Sequence, residues 1–223
     1  MKLNEIIQRV VQGYTNGVPS DESRLSWRRA YSALLSARNL LLSQEAKKRQ
    51  RVNRWNYQTL CVEMMNAPLN ECPGLPAIGC TILRSKLPLP RPLTDYGRHL
   101  INSVASFDGN TVFSEIEYEA KKYQSGNKFT STKPDFYVRN GYIYITTKSK
   151  PSIIMVEGVF ENPLLAQDFP SACGENPYTC IPYLERDFPV DSDMIPTIVE
   201  LAIKELGSKK EYDKTNNKLD ETT

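Results

Sequence analysis

Nine basic side chains fall between residues 24 and 54: Arg24, Arg28, Arg29, Arg38, Lys47, Lys48, Arg49, Arg51 and Arg54. A single acid, Glu45, stands among them. Such a run can neutralise phosphates along a nucleic acid. It can equally pair with an acidic subunit, or form a solvated helix face followed by a basic turn. Trp27, Tyr31, Trp55 and Tyr57 are interleaved with it. They offer stacking surfaces for bases, but Trp27 and Tyr31 fall on an apolar helical stripe and are expected in a core. Arg24, Arg28, Arg29, Lys47, Lys48, Arg49, Arg51 and Arg54 are therefore the candidate phosphate- or partner-contacting residues.

Catalytic patterns are weaker. Ser125 and Lys128 have serine–lysine nucleophile spacing, but they sit in a polar SGNK turn without companion motifs. His99 is the only histidine and follows Arg98, with no partner that the sequence identifies. Asp191 and Asp193 resemble a D-x-D metal pair, yet helix capping accounts for both. Cys61, Cys72, Cys80, Cys173 and Cys180 are irregularly spaced and include no C-x-x-C pair. They read as reduced thiols made in a cytosol rather than as a zinc site or a disulfide framework. No phosphate-binding glycine loop, nucleophile elbow or zinc-protease helix occurs. The reading is of a protein without catalysis, cofactor or metal.

The elements that must position these residues follow from periodicity and punctuation. Leu3, Ile6, Ile7, Val10 and Val11 predict a short amphipathic helix. GYTNGVPSDES is a loop. From Glu22 to Lys48 neither glycine nor proline occurs, and Trp27, Tyr31, Leu34, Leu35, Leu41 and Leu42 predict the longest helix. YQTLCVEMM reads as a strand. Six prolines then fall between Pro68 and Pro92, and LPLPRP must run as an extended edge or an arm. FDGN at 107–110 is a turn between strands. Asn140-Gly141, between FYVR and YIYITT, is a strong hairpin signal, because both turn positions need positive φ. SIIMVEGVF is apolar on alternate faces and predicts a buried central strand, whereas EIEYEAKKYQ fits strand or helix. A second proline-rich stretch runs from Pro163 to Pro196. Asp191-Ser-Asp-Met-Ile-Pro opens a last helix with Ile195, Ile198, Val199, Ala202, Ile203 and Leu206 on one face, and Gly207 ends it. The fold class expected is α+β: amino-terminal helices in 1–54, a mostly antiparallel β-rich body with proline-rich arms in 55–190, a carboxy-terminal helix in 191–206 and a polar tail in 207–223, unfolded on its own.

The chain has 223 residues, with 28 basic and 26 acidic side chains and a net charge of +2. A length of this order buries roughly 70% of the unfolded surface without staples. The near-balance of charge excludes a protein dominated by nucleic-acid electrostatics, although local patches remain. Charges interrupt every apolar run, so neither a signal peptide nor a membrane span is expected.

The blocks RLSWRRAYSALLSARNLLLSQEA, WNYQTLCVEM, ECPGLPAIGCTILRSKLPLPRPL, KPDFYVRNGYIYIT, VEGVFENP and DMIPTIVELAIKEL, in this order, resemble structural proteins of crAss-like tailed bacteriophages that form neck and tail rings. The resemblance covers most of 20–206. It implies a virion subunit made in the host cytoplasm: part of a head-to-tail connector, arranged as a cyclic, dodecameric homo-oligomer. Its partners would be other copies, the portal and neighbouring ring or tail proteins, with DNA passing through the enclosed channel and no membrane. The polar tail would then order on assembly. A nucleic-acid-binding or packaging protein using the 24–54 segment is the alternative, as is a virion protein of the tail or fibre base.

Overall fold

The computed structural model describes residues 1–15, 17, 25–49, 52–68, 71, 82–95, 97–120, 133–146 and 150–220; for 49 and 208–220 it describes the backbone alone. Two compact units result. One joins Met1–Asn56 to Cys180–Thr223; the other is Tyr57–Thr179.

The first unit is helical. Helix α1 (Leu3–Tyr14) buries Leu3, Ile6, Ile7 and Val10, the stripe its spacing predicts, and the Glu5 carboxylate accepts from the Lys2 N–H at 3.2 Å. Helix α2 (Trp27–Arg49) is the long glycine- and proline-free segment. The last helix, labelled α4 here (Ile195–Asp220), packs against both. It runs past Gly207, where the sequence reading ended it. One helical glycine costs about 1 kcal/mol, which good helix formers on either side can offset. Gly13 lies where α1 meets the Ile203 side chain, and a Cβ there would have to push the end of that side chain aside. Short 3-10 turns at Arg54–Asn56, Tyr183–Glu185 and Ser192–Met194 connect the pieces.

The second unit is a closed seven-stranded barrel built from β1 (Gln58–Asn66), β2 (Leu83–Ser85), β5 (Ile101–Ser106), β6 (Val112–Glu115), β7 (Asp135–Arg139), β8 (Tyr142–Thr146) and β9 (Ile153–Gly158), ordered β1-β2-β8-β7-β6-β5-β9. A two-stranded hairpin, β3 (Thr94–Asp95) and β4 (Arg98–His99), and a short helix α3 (Pro163–Gln167) accompany it. The expected mostly antiparallel body thus closes into a barrel, which removes the unpaired edges of a sheet. Its pairs are antiparallel except β6–β7.

The β7–β8 hairpin turns at Asn140 (φ 51°) and Gly141 (φ 78°), both positive as the sequence requires. The SIIMVEGVF run becomes β9, flanked by β1 and β5. Ile154 and Val156 on β9 join Leu60, Val62, Val104, Phe113, Phe136, Ile143, Ile145 and Phe160 in one apolar core. LPLPRP runs extended against its own barrel. Leu89 enters the core and donates its N–H to the Gly141 carbonyl at 2.7 Å, and Pro92 bridges to Phe160.

Candidate functional site

The basic segment is carried by α2 and the turn after it. Arg28 and Arg29 are exposed in the first turn, Lys47 and Lys48 at the far end. A rise of 1.5 Å per residue puts these two ends about 28 Å apart. Arg29 and Lys47 are five helical turns apart and share one face, with exposed Ser32, Ser36 and Leu40 between them. Arg49 closes the helix, and Arg54 is exposed in the 3-10 turn. Arg24 and Arg51 lie outside the described residues. The segment therefore makes two cationic clusters on the helical unit rather than one patch.

Arg38 belongs to neither. Its side chain has no exposed surface. Nε and Nη2 each donate to the Pro189 carbonyl at 3.4 Å, Nη1 donates to Asn39 Oδ1 at 3.1 Å, and the guanidinium lies 5.7 Å from the Phe188 ring centre. Burial pushes its pKa down to about 10, against an opposing effect of Tyr31, so it is charged at neutral pH. Taking an ion out of water is costly, and a polar group buried with moderate hydrogen bonds recovers only part of that cost. Arg38→Met keeps the apolar stem and is expected to stay within about 1 kcal/mol of wild type, whereas Arg38→Ala, which leaves a cavity, should lose about 2–4 kcal/mol. Urea unfolding followed by tryptophan fluorescence reads this unit, because Trp27 and Trp55 are the chain's two tryptophans and both belong to it. Equal losses in the two variants would show that the hydrogen bonds, not the stem, hold the site.

The aromatics correct the sequence reading as well. Trp27, expected in the core, is 42% exposed, with the Arg28 guanidinium 5.7 Å from its ring centre. Trp55 is 77% exposed. Tyr31 and Tyr57 are half-buried.

Asp191 is a cap. Its carboxylate accepts from the Asp193 N–H at 3.4 Å and from the Asn53 amide, and its own N–H donates to buried Asn56 at 2.9 Å. Both aspartates line a groove of about 400 Å³ with Leu41, Glu45, Lys48 and Asn53. Ser125 and Lys128 lie outside the described residues, as do Cys72 and Cys80. The expectation of reduced thiols fails at one pair: Cys61 and Cys173 form a disulfide, with Cα atoms 5.8 Å apart. The Ala172 N–H donates to the Cys61 carbonyl at 3.2 Å, which brings the chain after α3 beside β1. With a sequence separation of 112 between the two cysteines, no local spacing reveals the pairing. Cys180 is free and exposed.

The barrel carries a second candidate that the sequence reading missed, a cleft of about 640 Å³. Arg98 and His99 of β4 contribute to its lining, with Val138 and Arg139 of β7 and the 115–119 segment leaving β6. In that segment Glu115, Glu117 and Glu119 are exposed and alternate with half-buried Ile116 and Tyr118. Arg139 lies over the Tyr118 ring at 4.2 Å. Tyr118 contacts Tyr137, which stacks on Tyr144 with ring centres 4.9 Å apart. Tyr144 donates to Glu71 at 3.0 Å, and Glu71 also accepts from Arg84 at 2.6 Å. Burial raises both Tyr137 and Tyr144 above the usual phenol range, so these two phenols stay neutral. The period-two alternation of EIEYE was the available signal, and the charges obscured it.

Two groups in the cleft titrate abnormally. Burial lowers His99, whose Nδ1 is buried without a hydrogen-bond partner among the described residues. Burial also raises Glu115, with Arg98 opposing and Glu117 adding repulsion. A histidine with a depressed folded pKa contributes stability above 6.5 that is lost as pH falls through the folded value. His99→Gln should therefore flatten the decline in the barrel's urea midpoint between pH 7 and pH 5. A decline as steep as wild type would place the acid sensitivity elsewhere.

Among the described residues no helix is long and apolar enough to cross a membrane. The family described as phage tail ring protein 2 matches residues 5–222. The chain is also similar to ring protein 2 of Bacteroides phage crAss001. The two are 26% identical over 236 aligned residues, covering 99% of this chain and 98% of that protein.

Proposed function

The chain belongs to the phage tail ring protein 2 family, a structural component of the virion that associates with copies of itself and with tail proteins, and from that premise we propose that it is a subunit of the head-to-tail connector. A dodecameric ring of copies joins the portal to the tail and encloses the DNA channel. The match of a ring family to residues 5–222, nearly the whole chain, carries this reading.

The two units suit a wedge-by-wedge assembly, in which each copy offers one surface to the copy before it and a different one to the copy after it. The exposed cations Arg28 and Arg29 in the first turn of α2 suit a wall past which a polyanion moves. Scattered cations contact phosphates without reading sequence. Quantitative mass spectrometry of purified particles tests the proposal. Copy number equal to the portal's, or a simple multiple of it, is expected. Absence from the particle would overturn the structural role altogether, and a trimeric stoichiometry would move the protein to a fibre base.

A further inference from the structure

We propose that neighbouring copies in the ring hold each other through a basic–aromatic knob, Arg54 and Trp55 at the end of α2, seated in the glutamate-lined cleft of the next copy's barrel. This rests on the ring reading above, which requires two different, complementary surfaces on every copy.

The knob is an anomaly as a monomer surface. Trp55 keeps 77% of its surface in water. Tryptophan and arginine are also the residue types that dominate the centres of protein interfaces. Arg54 and Lys48 are exposed, and Lys48 lines the same groove as Asn53, the residue before Arg54. The knob is therefore an indole with cations beside it.

The cleft supplies the converse. Its volume of about 640 Å³ accommodates an indole and a guanidinium together. Ile116, Val138 and the Tyr118 ring give it apolar and aromatic lining, and Glu115, Glu117 and Glu119 give it carboxylates. The side chains of Glu117 and Glu119 carry no ion pair among the described residues. Burial raises the Glu115 pKa, Arg98 in the same lining partly offsets it and Glu117 adds repulsion; a further cation would lower it again. Arg139 already lies over Tyr118, and its planar guanidinium is a surface on which an incoming indole can stack. Knob and cleft belong to different units, and every copy carries one of each. That is the requirement for a head-to-tail contact that repeats around a ring.

Purified virions treated with a carbodiimide, which joins amines to carboxylates without a spacer, test the contact. The expected product is a ladder of cross-linked copies on a denaturing gel. Its dimer band should contain peptides joining Lys47 or Lys48 to Glu115, Glu117 or Glu119. The same peptides in the monomer band would overturn the proposal, since knob and cleft would then meet within one chain. A ladder without them would overturn it too while leaving the ring intact, and Lys47 or Lys48 joined to another virion protein would assign the knob to that neighbour instead. No ladder at all would count against the ring itself. Hydroxyl-radical footprinting supplies an independent reading: Trp55 oxidises in the isolated full-length chain and is expected to be protected in the virion. Undiminished oxidation there would sink the idea.

Discussion

Phe160→Ala is expected to cost the barrel unit about 3–5 kcal/mol, the range for an aromatic side chain removed from a packed core. Phe160 has no exposed surface and belongs to the main barrel cluster. It also stands where the chain leaves β9 and bridges to Pro92, so it lies at the seam between a core strand and the proline-rich segment packed over it. Truncation there leaves a cavity whose lining is held by closed strand pairing, and a closed barrel has little freedom to collapse into it. The loss should appear in the near-ultraviolet circular dichroism of the tyrosines, eight of which fall in residues 57–179. Tryptophan fluorescence, reporting the helical unit, should be much less affected. A loss below about 1 kcal/mol would show that the site repacks freely.

Reduction of the Cys61–Cys173 disulfide is the second large effect. The bond closes a loop spanning 112 residues, almost the whole barrel unit. A closure of that length removes roughly 4–5 kcal/mol of freedom from the unfolded chain. Dithiothreitol should lower the barrel's urea midpoint, and Cys173→Ser should reproduce that shift and be insensitive to reductant. An oxidised wild-type protein whose midpoint ignores dithiothreitol would show that the bond is absent or without consequence. Such a bond strengthens the barrel only once the subunit meets oxidising surroundings, since thiols stay reduced in the cytosol where the chain is expected to be made.

What could be read in the sequence was local. The stripe of α1, the glycine- and proline-free run of α2, the Asn140-Gly141 turn and the capping Asp191 before α4 each depend on neighbours within a few residues and form as their chemistry predicts, although α4, at 26 residues, and not α2, at 23, is the longest helix among the described residues. The closing of the barrel depends on β1 meeting both β2 and β9, residues far apart in sequence, and nothing in the spacing of those strands announces it. The disulfide was hidden for the same reason. Arg38 and Trp27 exchanged the places their residue types suggest. The buried positions of α2 drift around the helix from Ala30, Ala33, Leu34 and Ala37 to Arg38, Leu42 and Ala46, following its packing partners, and an arginine stem can occupy an apolar position when carbonyls receive its head. The cleft was legible only in part. Its glutamates alternate with apolar residues, but Arg98, His99 and Arg139 reach it from other strands.

The order of the two units along the chain has a consequence for synthesis. The helical unit is interrupted after Asn56 and resumes at Cys180, so the whole barrel is inserted within it. On the ribosome the barrel segment is complete and can fold while α1 and α2 still lack α4, the helix against which both pack. A copy cut short between the end of the barrel unit at Thr179 and the start of α4 at Ile195 therefore has a complete barrel segment and an unfinished helical half. Such a fragment could occupy a neighbour's contact without offering the next one, and ring growth would stop there.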